Sequence, residues 1–249
     1  MTTSNLAHIM PVYTDNIINV DFGAGTITQS PTRRTTSIYK SNGVPKATAA
    51  EPLRDPADIK RIQDYFLSHN QLRNYTIFTV GLLFGLRAGD LLSLRIHHVL
   101  RPDGTFKSHC DLIESKTRKF NNPAITPAVQ KLLSDYLATR TCVNYDDPLW
   151  PSRERDKDGN LKPIVLEHFI RILKKAAKEC GITAHISSHS LRKTFVYQLL
   201  QQNPDDDTVK FACQQMLNHD SFKTTLNYCG LTQDAMDTYR AGLEGVIIR

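Results

Sequence analysis

Two stretches near the end of the chain decide its fold, His189-Ser-Leu-Arg-Lys-Thr-Phe195 and Leu217-Asn-His-Asp-Ser-Phe-Lys-Thr-Thr-Leu-Asn-Tyr228. The first places an imidazole and the guanidinium of Arg192 three residues apart, so on a helix both lie on one face about 5–6 Å apart. The second adds another imidazole, that of His219, and the phenol of Tyr228. A cationic fork, proton-transfer groups and a hydroxyl nucleophile suffice for metal-free attack on a phosphodiester. The pair therefore predicts a phosphate site.

The composition bounds the class of protein. The 249 residues are enough to bury a core in one or two domains. A hydrophobic content of 40% and a charged content of 22% are ordinary for a globular protein and exclude disorder throughout. The net charge of +6 suits a polyanionic partner, although many proteins that bind no nucleic acid are equally basic.

The cysteines and the N-terminal residues give information on the cellular location of the protein. The five cysteines are widely spaced and form no CxxC pair, which favours reduced thiols. The first residues lack the basic region and apolar run of a signal peptide, and no stretch reaches the roughly eighteen apolar residues of a membrane span. We therefore predict a cytoplasmic protein with no membrane partner.

The chain divides into two predicted domains. Residues 1–50 form an N-terminal arm or linker, with a weak β-hairpin around 17–28 and a basic, Ser/Thr/Pro-rich remainder. This arm either follows a DNA backbone or is a solvated tail. Residues 51–249 form the second domain, which begins where Asp55 caps a helix that has Pro56 at its first position.

The patterning predicts a fold that is mostly α with a small antiparallel β-sheet (α+β). The sheet, of two or three strands, lies within 97–125, and 152–160 is a charged, mobile loop. After the helix at Asp55, the predicted helices cover about 71–84, 89–94, 126–137, 166–181, 190–202, 206–217, 222–229 and 232–241.

Two sequence motifs further upstream, called boxes below, add to the two stretches near the end of the chain. Gly85-Leu-Arg87-Ala-Gly-Asp90 precedes a Leu-rich helix, and Glu114-Ser-Lys116-Thr-Arg-Lys119 is a basic turn. With the two stretches near the end, these boxes resemble, in the correct order, the signature of the tyrosine recombinases, the phage integrase family. The resemblance covers about 55–239, and four boxes in order are far more specific than one.

The resemblance implies a fold, an activity and partners. The fold is the tyrosine recombinase catalytic domain, and the activity is a DNA strand transferase that cuts and rejoins strands through a covalent 3′-phosphotyrosine. No metal or cofactor is implied. The implied partners are double-stranded DNA and further copies of the chain, as a tetramer in the recombining complex.

The resemblance also assigns roles. Arg87 and Arg192 bind the non-bridging oxygens, since a guanidinium can hold two oxygens at once. Tyr228 is the nucleophile, nine residues beyond His219, with Tyr239 as its rival. The remaining roles are proton transfer by His189, a hydrogen bond to the scissile phosphate from His219, and protonation of the leaving 5′ oxygen by Lys116, with Lys119 as its rival.

The chain departs from the family pattern in several places. Asn218 replaces the usual glycine, and Asn is the next best residue for a left-handed turn. Asp90 replaces the commoner Glu and either braces Arg87 or caps the helix. The separate helical core-binding domain of longer members is missing, so the chain resembles short members such as the fimbrial invertases, or a catalytic fragment, with Met1 favouring a whole protein. The tail after Tyr228 packs on its own core or on a neighbouring protomer.

Three other functions compete with this reading. A zinc site would use His97, His98, His109 and Cys110, but their spacing matches no metal motif. A DNA-binding regulator of the same fold would leave the six catalytic groups unexplained. A type IB topoisomerase would use a similar pocket and tyrosine to nick and reseal one duplex.

Overall fold

The structure, a computed structural model, describes residues 50–141, 143–217 and 225. The predicted arm, Ala50 excepted, lies outside these residues. So do His219, Tyr228, and the two last predicted helices apart from Thr225.

The described part of the chain opens with helices α1 (Pro56–Ser68), α2 (Leu72–Phe84), α3 (Ala88–Leu92) and α4 (Ile96–Val99). Asp55 caps α1 as predicted, since its Oδ1 accepts a hydrogen bond of 2.8 Å from the backbone N–H of Ala57. Helix α2 ends at Gly85, whose φ of +60° is the left-handed conformation expected there. The helix α4 has one turn and was missed, because four residues carry no helical periodicity.

Two antiparallel hairpins occur within the described residues. Strands β1 (Leu112–Ile113) and β2 (Phe120–Asn121) pair with each other, which confirms the small predicted sheet. After helix α5 (Pro127–Leu137), strands β3 (Pro151–Arg155) and β4 (Leu161–Pro163) form the second hairpin. The prediction of a loop over 152–160 is therefore wrong for the strand residues. Strand β3 is solvent-exposed along most of its length, so it lacks the alternation of apolar and polar residues that reveals a strand.

Three more helices complete the described fold, α6 (Leu166–Glu179), α7 (Ser190–Gln202) and α8 (Asp207–Met216). All three coincide with predicted helices to within a residue or two. The prediction of a mostly α fold with small antiparallel sheets is confirmed.

Helix α2 lies at the centre of the core and packs against α1, α5 and α7. Its contact with α7 is close, because a Cβ at Gly81 would lie 2.6 Å from Cδ1 of Leu191. The buried indole of Trp150 fixes α3 by donating a hydrogen bond of 2.9 Å from Nε1 to the backbone carbonyl of Leu91. This packing brings the end of α2, the helix α3 and the start of α7 together.

None of the helices in the described part of the chain is both long enough and apolar enough to span a membrane.

Candidate active site

Arg87 is held at the edge of the core by the turn between α2 and α3. It occupies the N-terminal cap of α3, two residues after the left-handed Gly85. Its Nη1 donates to Oε2 of Glu114 over 2.5 Å, and the same nitrogen lies 4.0 Å from Oδ2 of Asp90. The side chain of Arg87 is still 19% exposed, so part of it is accessible from the solvent.

Arg192 lies in the first turn of α7 and is almost fully buried, with 2% of the residue exposed. Its Nη1 donates to the carbonyl of Gly85 over 3.1 Å, and its Nη2 donates to the carbonyl of Leu217 over 2.7 Å. Arg192 therefore joins the end of α2 to the end of α8. Leu217 stands two residues before His219 in the sequence.

Glu114 joins the two arginines. It is fully buried, and its Oε1 lies 3.6 Å from Nη1 of Arg192 while its Oε2 accepts from Arg87. Oε2 also accepts from the Thr117 hydroxyl, and Oε1 accepts from Nδ2 of Asn121 over 3.1 Å. Burial alone would raise the pKa of this carboxyl, but the hydrogen bonds from Thr117, Arg87 and Asn121 and the charge of Arg87 together lower it to about 2. Glu114 is therefore ionised at neutral pH.

The role of Glu114 was missed by sequence reasoning, which gave it only as the first residue of the lysine box. No signal for this role was present in the sequence, because the burial of Glu114 is seen only in the structure. Leu112 and Glu114 are both buried, with exposed Ile113 between them, so the carboxylate lies on the inward face of the hairpin. A carboxylate on a buried face requires a cationic partner.

Asp90 anchors the same hairpin. Its Oδ1 accepts from the backbone N–H of Ser115 over 2.9 Å and from the Ser115 hydroxyl over 2.6 Å. Its Oδ2 lies 4.0 Å from Nη1 of Arg87, a distance too long for a hydrogen bond. Of the two roles that the sequence left open, bracing of Arg87 is therefore limited to this long ion pair, and the hydrogen bonds of Asp90 instead attach the hairpin to α3.

Lys116 lies at the exposed tip of the β1–β2 hairpin. The turn is closed by hydrogen bonds of 2.9 Å from the Glu114 N–H to the Lys119 carbonyl and from the Arg118 N–H to the Glu114 carbonyl. Lys119 is exposed on the same hairpin, so the choice between the two lysines stays a prediction.

His189 occupies the N-terminal cap of α7, next to the arginines. Partial burial, followed by the charges of Arg192, Lys193, Lys116 and Arg87, lowers the pKa of His189 below its usual value, although the residue keeps an exposed edge. The imidazole is therefore neutral near pH 7 and able to accept a proton. The charges of Lys116, Arg87 and Arg192 thus act on the His189 imidazole.

The predicted positions of His219 and Tyr228, and of the rival Tyr239, lie outside the described residues. The structure brings together Arg87, Lys116, His189 and Arg192. The contributions of His219 and Tyr228 stay predictions.

The structure also describes the residues that the alternative zinc site would use. His97 and His98 lie on α4 rather than on a strand, and Nδ1 of His98 accepts from the backbone N–H of Arg95 over 2.9 Å. Burial, and then the neighbouring His97, lower the pKa of His98 to about 4, while burial raises the pKa of the Cys110 thiol to about 12. Within the part of the chain that the structure describes, no group of three or more His, Cys, Asp or Glu side chains is arranged to hold a metal ion.

Comparison with known families identifies the class of protein. The model of the phage integrase family matches residues 54–234. The chain therefore belongs to the phage integrase family, the tyrosine recombinases, and the sequence predictions of the family and of a site-specific DNA strand transferase are confirmed at the level of the family.

Individual relatives agree with this assignment. The chain is 31% identical over 185 residues to the probable integrase/recombinase YoeC of Bacillus subtilis, a match that covers 74% of this chain and 91% of YoeC. It is 27% identical over 203 residues to a tyrosine recombinase of Pseudothermotoga lettingae, covering 78% of this chain. That second match spans 63% of the relative's length.

Solved structures share the fold. The crystal structure of XerA recombinase superposes with a TM-score of 0.58 and 24% identity, covering 82% of this chain and 66% of XerA. A post-cleavage complex of XerH recombinase with its difH substrate gives 0.54 and 16% identity, covering 78% and 53%. A lambda integrase tetramer bound to a Holliday junction gives 0.52 and 13% identity, covering 75% and 50%.

Proposed function

We propose that this chain cuts and rejoins double-stranded DNA through a covalent 3′-phosphotyrosine formed by Tyr228. One observation carries the proposal. Arg87 and Arg192, which come from separate helices, converge on one buried carboxylate at the base of the hairpin that presents Lys116. A fixed pair of guanidinium groups beside a lysine and a neutral imidazole suits charge that develops on a phosphodiester.

The proposed steps use these groups in order. The two arginines hold the non-bridging oxygens of the scissile phosphate, and His219 donates a further hydrogen bond. The Tyr228 oxygen forms a bond to phosphorus as its proton passes to His189, whose lowered pKa leaves the imidazole neutral and able to accept a proton. The 5′ oxygen leaves with a proton from Lys116. Attack by a 5′ hydroxyl then reverses the sequence and releases the tyrosine.

The partners and the location are part of the proposal. Double-stranded DNA and a homo-oligomer, a tetramer during strand exchange, suit the DNA-bound XerH complex and the lambda integrase tetramer that share this fold. Residues 1–50 are an arm outside the catalytic domain, which occupies 51–249. A cytoplasmic location suits Cys110, Cys180 and Cys213, which are free thiols.

The test is covalent capture. A pool of nicked duplexes taken from the DNA on either side of the coding sequence is incubated with the native chain and resolved on a denaturing gel. We expect a protein–DNA adduct at a 3′ phosphate, formed by the native chain and by Tyr239→Phe but not by Tyr228→Phe. The matched tyrosine variants separate the loss of one nucleophile from a general effect of removing a phenol.

Each other outcome contradicts a specific part of the proposal. An adduct with Tyr228→Phe but not with Tyr239→Phe would move the nucleophile to Tyr239. A mobility shift without any adduct would favour a DNA-binding regulator. Relaxation of supercoiled plasmid without exchange between two sites would favour a topoisomerase.

A further inference from the structure

The geometry points to Glu114 as a positioning residue that holds Arg87 and Arg192 at one fixed separation and ties both to the lysine hairpin. This inference rests on the proposed function, because it concerns the same site. Glu114 is not proposed to contact DNA.

Both carboxylate oxygens of Glu114 are already in use. One faces Arg87 at 2.5 Å and accepts from Thr117, while the other faces Arg192 at 3.6 Å and accepts from Asn121. The residue has 0% exposure. A carboxylate with no exposed oxygen cannot take a proton from a substrate, so its effect on catalysis must pass through the groups that it holds.

The two arginines differ in how they depend on Glu114. Arg192 also donates to the carbonyls of Gly85 and Leu217, which fix it from two further sides. Among the described residues, Arg87 has one short side-chain ion pair, with Glu114, and a distant one, with Asp90. Loss of the Glu114 charge should therefore free Arg87 more than Arg192.

The hairpin is fixed by a separate pair of bonds. Ser115 donates twice to Asp90, so the base of the hairpin stays attached to α3 even when Glu114 is changed. A change at Glu114 should therefore disturb phosphate binding by the arginines and leave the delivery of a proton by Lys116 largely intact. The effect on phosphate binding and the effect on proton delivery can therefore be measured separately.

The experiment compares Glu114→Gln, Glu114→Asp and Lys116→Ala on two duplexes at saturating DNA. One has the ordinary 5′ oxygen at the scissile bond, and the other has a bridging 5′ sulfur, whose thiol has a pKa near 8.5 and leaves without an acid. Because misplacement of a catalytic group by about 1 Å can cost about 100-fold, we expect Glu114→Gln to cleave both duplexes about 100-fold more slowly than the native chain. Lys116→Ala should be slow on the oxygen duplex and close to native on the sulfur duplex.

Controls separate positioning from other effects. Glu114→Asp keeps the charge and should recover part of the rate, and it carries the test if Glu114→Gln does not fold. Glu179→Gln, an exposed carboxylate at the end of α6, should cleave at the native rate. If folded Glu114→Gln cleaves at the native rate, or if the sulfur duplex restores it fully, the inference is wrong. Failure of the native chain to form an adduct with either duplex would instead overturn the proposed function.

A second measurement needs no catalysis. Among the described residues, the charged groups that face Glu114 are Arg87 at the N-terminal cap of α3, with Asp90 beside it, and Arg192 from α7. Because the pKa of Glu114 in the folded protein is about 2, below its ordinary value of 4.5, its charge stabilises the fold above pH 4.5 and this stability is lost as the pH falls toward 2. The melting temperature of the native chain should exceed that of Glu114→Gln at pH 7, with a smaller gap at pH 3. An equal gap at both pH values would mean that Glu114 is not the ionised partner of the arginines.

Discussion

Replacing Arg192 with alanine is expected to lower the free energy of unfolding by about 3–5 kcal/mol and to abolish DNA cleavage. The guanidinium is buried and faces Glu114, which is buried as well, so its removal leaves a buried charge with one cation fewer. The carbonyls of Gly85 and Leu217 lose a donor at the same time. Urea unfolding measures the first effect, and capture of the covalent adduct measures the second.

Two control variants make this prediction specific. Arg192→Lys keeps the charge but cannot donate to two carbonyls in a fixed plane, so it should recover part of the stability without restoring cleavage. Arg171→Ala removes an exposed arginine from α6 and should change the unfolding free energy by no more than about 0.5 kcal/mol. Unfolding of Arg192→Ala at the native urea concentration would show that the buried contacts contribute nothing.

The charged groups around Arg192 explain how a buried arginine can form part of a site that binds phosphate. Arg87 and Arg192 both face the carboxylate of Glu114, and Arg87 also lies 4.0 Å from Asp90. The negative charge of Glu114 therefore offsets part of the positive charge of the two guanidinium groups. Such an arrangement fixes donors in place before the substrate arrives, and fixed donors stabilise developing charge without reorganisation.

Local chemistry accounts for the elements that the sequence predicted well. Asp55 before Pro56, and Thr126 before Pro127, supply a side-chain cap and a proline at the first helical position, and both helices start there. Helix α7 matches the predicted bounds. Strands β3 and β4 were missed because their exposed residues carry no alternation, so tertiary pairing rather than pattern defines them.

The candidate site likewise contains residues that the sequence singled out and one, Glu114, that it did not. Its cationic residues were singled out because each stands in a box of fixed local spacing, and their catalytic roles stay predictions. Glu114 was not, because it meets Arg87 across 27 residues and Arg192 across a still longer stretch, and such contacts exist only after folding. The burial of Arg192 was also unforeseen. A His-x-x-Arg spacing specifies a helix face but not what covers it.

Replacing Gly85 with alanine is expected to lower the free energy of unfolding by about 2–5 kcal/mol, from left-handed strain of about 1–2 kcal/mol plus a steric cost of about 1–3 kcal/mol. The φ of Gly85 is +60°, and an added Cβ would lie 2.4 Å from Cδ1 of Phe195. Because the Gly85 carbonyl also accepts from Arg192, displacement of α7 should slow cleavage about 100-fold. Urea unfolding and adduct formation measure the two effects.

Gly181 provides the matched control. It follows the end of α6 with a φ of +68°, and an added Cβ there meets no atom within 4 Å, so Gly181→Ala should show the left-handed strain alone, about 1–2 kcal/mol, with cleavage unchanged. Adding Phe195→Ala to Gly85→Ala removes the ring that the new Cβ would strike. The double variant should therefore lose less stability than the sum of the two single variants. Strict additivity, or equal losses at Gly85 and Gly181, would mean that close contact with α7 is not what requires glycine at position 85.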